Sequence, residues 1–265
     1  PSRMLDENIR VDYNKLRMLI RKDKEFSQDA SIIQTLVSKG YVTGELKEGF
    51  PAENIAKEDN FISLLYYFGM VTIGGFYRGK PKFVIPNEVV REQVYTYLLD
   101  NYHENHLETD SYRIGQLEEN MAYDGDFKPF FQYIADSIYT FASQRDRQKG
   151  EAFVHGYTLA LTSQCSYYRP ISELDNQGGY ADIFLRPRHE IFTDMEHSYI
   201  IELKYLKSHA TDTEVDVATQ QAEAQVCRYA GTVNVNDNIG HTRLHKVIVI
   251  YRGVEMVVCE EVSTL

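Results

Sequence analysis

At 265 residues, 43% hydrophobic and 25% charged, the chain has material for one large domain or two ordinary ones. Its net charge of -11 excludes the broadly basic footprint of an indiscriminate nucleic-acid binder, while leaving room for a locally basic surface beside metal-binding acids. No apolar stretch approaches the ~20 residues of a membrane span, and Cys165, Cys227 and Cys259 lack ligand spacing, so buried thiols in a reducing, cytoplasmic setting are expected.

The opening Pro1-Ser2-Arg3-Met4 reads as neither a natural nor a processed start, and a fragment of a longer chain is expected. The first hundred residues read as mostly helical. Asp12 suits the N-cap of a helix carrying Leu16, Leu19 and Ile20 on one face. A second helix takes Ile32, Ile33, Leu36 and Val37 and is ended by Gly40. Asn60 is expected to cap a third, which carries Phe61, Ile62, Leu64, Leu65 and Tyr66. Apolar runs at 71–76 and 82–85 bracket Arg78-Gly79-Lys80-Pro81, a hairpin signal. Pro86 and Asn87 introduce a helix through Val89, Val90, Val94, Leu98 and Leu99. Helices with a hairpin wing suggest a small winged-helix-like module over residues 1–100. Such modules serve as lids or protein contacts as well as DNA readers.

A polar run, 101–106, marks the expected boundary. His103 and His106 have helical spacing but no third ligand, and are read as a solvated pair. Asp124-Gly125-Asp126 breaks one helix, and Pro129 to Tyr139 builds an aromatic-faced next one. From Glu151 the pattern becomes helix, three strands, helix, strand. The first strand lies near 167–171, the next two contain Asp182 and Glu202, and the last is the apolar run Lys246 to Tyr251. His241 and His245 also have helical spacing without a third ligand and are left as structural. The fold expected for residues 101–265 is α/β, a mixed sheet flanked by helices.

The strand Ser198 to Leu206 sets two opposite charges, Glu202 and Lys204, among Ile and Leu. Side chains alternate along a strand, so these two share a face and Leu203 takes the other. Burying ionised groups costs several kcal/mol unless each is partnered. A second apolar run, Tyr180 to Leu185, carries Asp182 near its start. Two acids and a lysine at the heads of neighbouring strands suit a divalent metal beside a water molecule. Arg186, Arg188 and Lys207 are assigned to the same region, as a local positive balance for phosphate. Each piece also has a plainer reading: a solvated strand face, an acid capping a turn after Gly178 and Gly179, an ordinary amphipathic helix.

In order, Glu151, Asp182, the run Ile201-Glu202-Leu203-Lys204, and Gln225-Val226-Cys227-Arg228-Tyr229 resemble the PD-(D/E)XK nuclease superfamily, in its RecB-like branch. Ala152 to Tyr157 and Tyr180 to Ile183 are similar to bacterial proteins that join an AAA-ATPase-like domain to such a nuclease-like domain, and Val11 to Arg17 resembles the end of the ATPase-like part. Ala181 replaces the usual proline before the first acid. No Gly-x-x-x-x-Gly-Lys-[Ser/Thr] loop occurs, so no ATP site is assigned to this chain and the ATPase-like domain is expected to be missing from the fragment.

The resemblance implies a restriction-endonuclease-like sheet in residues 101–265, with Asp182, Glu202 and Lys204 converging at one edge of it. It implies Mg2+- or Mn2+-dependent hydrolysis of nucleic acid, expected to be DNA. Asp182, Glu202 and the Leu203 carbonyl would hold the metal, and Lys204 would orient the attacking water and meet the phosphate. Glu151 would assist at the metal or orient Lys204, and Gln225 and Tyr229, one helical turn apart, would support the site or contact the nucleic acid. The rival reading is a catalytically silent interaction or regulatory module attached to an ATPase-like domain.

Overall fold

Helix α1 (Ser27–Lys39) buries Ile32, Ile33, Leu36 and Val37, and Gly40 leaves it in the left-handed region at φ 72°. The structure is a computed structural model and describes residues 27–49, 54, 57–104, 109–144, 150–172, 183–231 and 233–262. The helix expected around Asp12, with the run Val11 to Arg17, and the strand start at Asp182 lie outside the described residues. The chain divides at residues 101 and 102 into two compact units.

In the first unit, β1 (Tyr41–Thr43) follows α1, and α2 (Glu58–Tyr67) follows a polar connection. Asn60 does not cap α2, contrary to the sequence reading. The helix begins two residues earlier, where Glu58 and Asp59 meet its positive end, and the Asn60 side chain donates to the Asn54 carbonyl instead. The helix closes as a Schellman motif: Gly69, at φ 71°, donates to Tyr66 and Met70 donates to Leu65. The hairpin forms as β2 (Thr72–Tyr77) and β3 (Lys80–Val84). All pairings are antiparallel, in the order β1-β3-β2. Asn87 caps α3 (Glu88–Glu104) by accepting from the Val90 amide. Val42 and Phe83 bury one face of this sheet, and Phe61, Leu65, Val94 and Leu98 are buried in the helices.

The second unit opens with α4 (Ser111–Tyr123), capped by Asp110, and continues with α5 (Lys128–Gln144) and α6 (Glu151–Thr162). Between α4 and α5, Gly125 sits at φ 73° with the His197 ring 3.1 Å from where a Cβ would stand. Five strands follow: β4 (Tyr168–Ser172), β5 (Ile183–Pro187), β6 (His197–Leu206), β7 (Arg243–Arg252) and β8 (Glu255–Glu261). Their order is β4-β5-β6-β7-β8, with β6 and β7 parallel and the other pairs antiparallel. The parallel pair is joined through α7 (Asp212–Ala230) and α8 (Val233–Ile239).

Strand alternation sorts the two faces. Phe184, Ile200 and Ile248 pack with Ala222, Val226, Tyr229 and Val235 on the α7–α8 side. Tyr199 faces the other way, its hydroxyl donating to the Met121 carbonyl of α4 and its ring lying beside Phe127. Helix α6 packs on β4 and β6, and α5 on β8. The result is a mixed sheet between two helical layers. Two elements of this unit, α8 and β8, were absent from the sequence reading, which ended on the β7 strand, as was β1 in the first unit.

Candidate functional site

Strand β6 is the third of five: β7 pairs it from His197 to Leu206, β5 pairs Tyr199 to Ile201 on the other side, and α6 and α7 pack against it. Glu202 lies in that setting at 1% exposure. The Lys204 Nζ stands 2.6 Å from Glu202 Oε1, with the lysine side chain 28% exposed. Both residues share the face of Ile200, the one packed by α7, while Leu203 is buried on the opposite face. Their register partners on β7 are Ile248 and Ile250. The acid is held in apolar surroundings by its lysine, and the lysine head reaches solvent. A charge-assisted bond of this length is among the stronger polar contacts a protein makes.

Antiparallel β5 sets Ile183 opposite Ile201, Phe184 opposite Ile200 and Leu185 opposite Tyr199. Asp182 precedes this run and lies outside the described residues. Glu151 is exposed at the first position of α6, while Glu202 and Lys204 face α7. Gln225 is half-buried on α7, one turn before Tyr229. The Tyr229 ring is packed into the cluster of Phe184, Ile200 and Ile248.

Three placements differ from the sequence reading. The Glu202–Lys204 pair is in mid-sheet rather than at an edge, because β4 and β8 occupy the two edges. Arg186 and Arg188 are not at the Glu202 end. Because β5 returns antiparallel, they lie toward the His197 end of β6, where Arg186 pairs Arg169 and Arg188 donates to the Ser166 carbonyl. Lys207 directly follows β6 and is exposed at the Lys204 end. His245 is on strand β7, so its spacing from His241 is not helical. It bonds His197 at 2.8 Å and Glu261 at 3.0 Å, a polar chain across three strands that runs from the buried His245 to the exposed Glu261. His106 lies outside the described residues.

Residues 130–261 match the family model of the PD-(D/E)XK nuclease superfamily. Through its second unit, the chain belongs to that superfamily. No curated protein and no solved structure matches the chain. Glu202 and Lys204, two residues apart on β6 and inside the matched range, have the spacing of a (D/E)-x-K element. Among the described residues no group of three His, Cys, Asp or Glu side chains is arranged to hold a metal ion. The donor chemistry nevertheless fits a hard divalent cation: Glu202 supplies a carboxylate oxygen, and a second carboxylate stands in the sequence directly before Ile183, the partner of Ile201. Among the described residues no helix is long and apolar enough to cross a membrane.

Proposed function

We propose that the second unit is a Mg2+- or Mn2+-dependent nuclease that hydrolyses phosphodiester bonds of DNA, with Asp182, Glu202, Lys204 and Glu151 as its site. The observation that carries this reading is the contact between buried Glu202 and part-exposed Lys204 on the middle strand of a PD-(D/E)XK unit. Asp182, Glu202 and the Leu203 carbonyl would hold the cation, which when bound lowers the charge on the phosphate and the pKa of a coordinated water. Lys204, whose side chain is 28% exposed, would meet the phosphate oxygens and stabilise the charge that builds there. Lys207, exposed just past the strand end, extends the basic surface there, and Gln225 and Tyr229 brace the face on which the pair stands. A second reading, a silent interaction module, draws on the same contact: an acid held by its own lysine also suits a structural pair retained without catalysis.

The test is cleavage of single- and double-stranded DNA with Mg2+ or Mn2+, comparing wild type with Lys204→Ala and Asp182→Asn. Each substitution should lower the rate by two orders of magnitude or more. Activity equal in all three proteins would belong to a contaminant and would reject the site, and no activity on any substrate would favour the silent module. Metal linkage gives an independent readout. At a hundredfold excess over Kd a cation that binds only the folded state adds about 2.7 kcal/mol. For a chain of this size that raises the melting temperature by roughly 5–10 °C. The rise should be largely lost in Asp182→Asn, and equal shifts in both proteins would place the ion elsewhere on an acidic surface.

A further inference from the structure

The first unit carries a second feature that the nuclease reading does not use. On its three-stranded sheet Tyr41, Thr43, Lys80, Lys82 and Tyr77 share one face, since Tyr41 pairs Val84, Thr43 pairs Lys82 and Tyr77 pairs Lys80. Phe83 and Val42 bury the other face. The Tyr41 and Tyr77 ring centroids are 6.1 Å apart, the Lys82 ammonium stands 4.2 Å over Tyr41, and the Arg78 guanidinium 5.3 Å over Tyr77. Beside them opens a cavity of about 450 Å³, lined in part by Lys39, Thr43 and Glu58 as well as both tyrosines. That volume is within the usual range for small-molecule-sized pockets.

The hairpin tip adds an independent observation. Arg78 and Gly79 both take positive φ, 50° and 81°, the backbone of a two-residue type I′ turn. Asn or Gly occupies the first of these positions at least cost, whereas a longer side chain there stores about 1–2 kcal/mol. Arg78 accepts that cost and sets a cation at the tip, above an exposed tyrosine. Residues 72–84 carry Arg78, Lys80 and Lys82 and no acid, within a chain of net charge -11. Nearby Glu45 is engaged by Lys47 at 2.5 Å.

We infer that this outer sheet face is a platform for single-stranded nucleic acid, with a base stacked on Tyr77 and the flanking phosphates held by Arg78, Lys80, Lys82 and Lys39. Stacking on an aromatic ring tolerates any base, and the lysines read only backbone charge, so binding is expected to be sequence-tolerant and salt-sensitive. The platform is separate from the Glu202–Lys204 site and goes beyond the proposed cleavage, because it binds without a metal.

The experiment is fluorescence anisotropy of a labelled 20-nucleotide single-stranded DNA with the full chain in EDTA. Tyr77→Ala should weaken binding by about 5- to 150-fold, the value of one stacked base. Lys80→Ala with Lys82→Ala should reduce the slope of log K against log salt by about 1.4, two phosphates' worth. Phe76→Ala serves as control, since Phe76 is 73% exposed but shares the register position of Pro81 on the other face; it should bind as wild type. Thermal melts confirm that each variant folds. Unchanged affinity and slope in the Tyr77 and lysine variants overturn the inference, as does an equal loss in Phe76→Ala. Tight binding of duplex DNA with the same residue dependence, or equal competition by poly-glutamate, also overturns it by making the face a general polyanion contact. A protein that binds through the platform yet cuts nothing keeps this inference and removes the nuclease reading; one that cuts DNA while the platform variants bind as wild type does the reverse.

Discussion

Two buried glutamates in the second unit reach charge balance by different routes. Glu202 is bonded to the Lys204 ammonium. Glu118, on α4 at 2% exposure, bonds the backbone at Ser166, and its Oε1 has no hydrogen-bond partner. Burial holds its carboxyl well above the usual carboxylate range, against the weaker opposing pull of the Ser166 bond. Burial thus favours the neutral, protonated form at Glu118, where Glu202 has a cation beside it. Because the folded value is raised, the folded state binds more protons than the unfolded one across that interval. The stability it contributes is fully present below the unfolded pKa and is lost as pH rises through the folded value. Glu118→Gln keeps the shape and removes the titration. Its melting temperature relative to wild type should climb steadily from acid pH upward, and a difference that stays flat from pH 4 to 8 would show that Glu118 does not titrate in this way.

At the scale of elements, α7 carries the crossover between the parallel strands and packs the face on which Glu202 and Lys204 stand. Its start is a capping box: the Thr211 hydroxyl accepts from the Glu214 amide, and the Glu214 carboxylate accepts from the Thr211 amide at 2.7 Å. Thr211→Ala should cost about 1 kcal/mol and lower the melting temperature by about 2–4 °C, with faster amide exchange at Glu214. A variant that melts and exchanges as wild type would mean that Asp212, bonded to Arg252 at 2.8 Å, pins the helix start alone.

The legibility of these elements in the sequence follows from their physics. Strand β6 was readable because two charges interrupt an apolar run, and β7 because it is apolar on both faces. Strand β1 is three residues long, too short for any period to show. In β8 the edge position leaves most side chains half-buried, so Met256 to Cys259 lacks a clean alternation. Helix α8 has seven mostly polar residues. The Glu202–Lys204 contact was legible as a spacing of two on one strand. The His197–His245–Glu261 chain was not, since its members come from three strands and meet only through the strand order. Arg186 and Arg188 were misplaced for the same reason: nearness in sequence to a site says nothing about which way the strand runs.

The whole molecule is two units with separate cores. The second unit draws its five strands and their covering helices from residues 102–265 alone. A chain cut to 102–265 should therefore melt as one cooperative transition with mixed helix and sheet signal, monitored by circular dichroism. A broad, non-cooperative loss would show that the first unit is needed to complete this core. The order of the sheet also bears on how that core is made. Strand β6 is complete by residue 206, but its parallel partner begins only at Arg243. At a synthesis rate of about 5–20 residues per second the intervening stretch takes a few seconds to emerge. Through that interval β6 is a growing edge, the kind of apolar strand on which nascent chains aggregate. Inward-facing charges are a means by which natural edges discourage such pairing, and β6 carries two of them. The same two charges that bond to each other in the finished sheet are thus set where an unpaired β6 would otherwise be uniformly apolar.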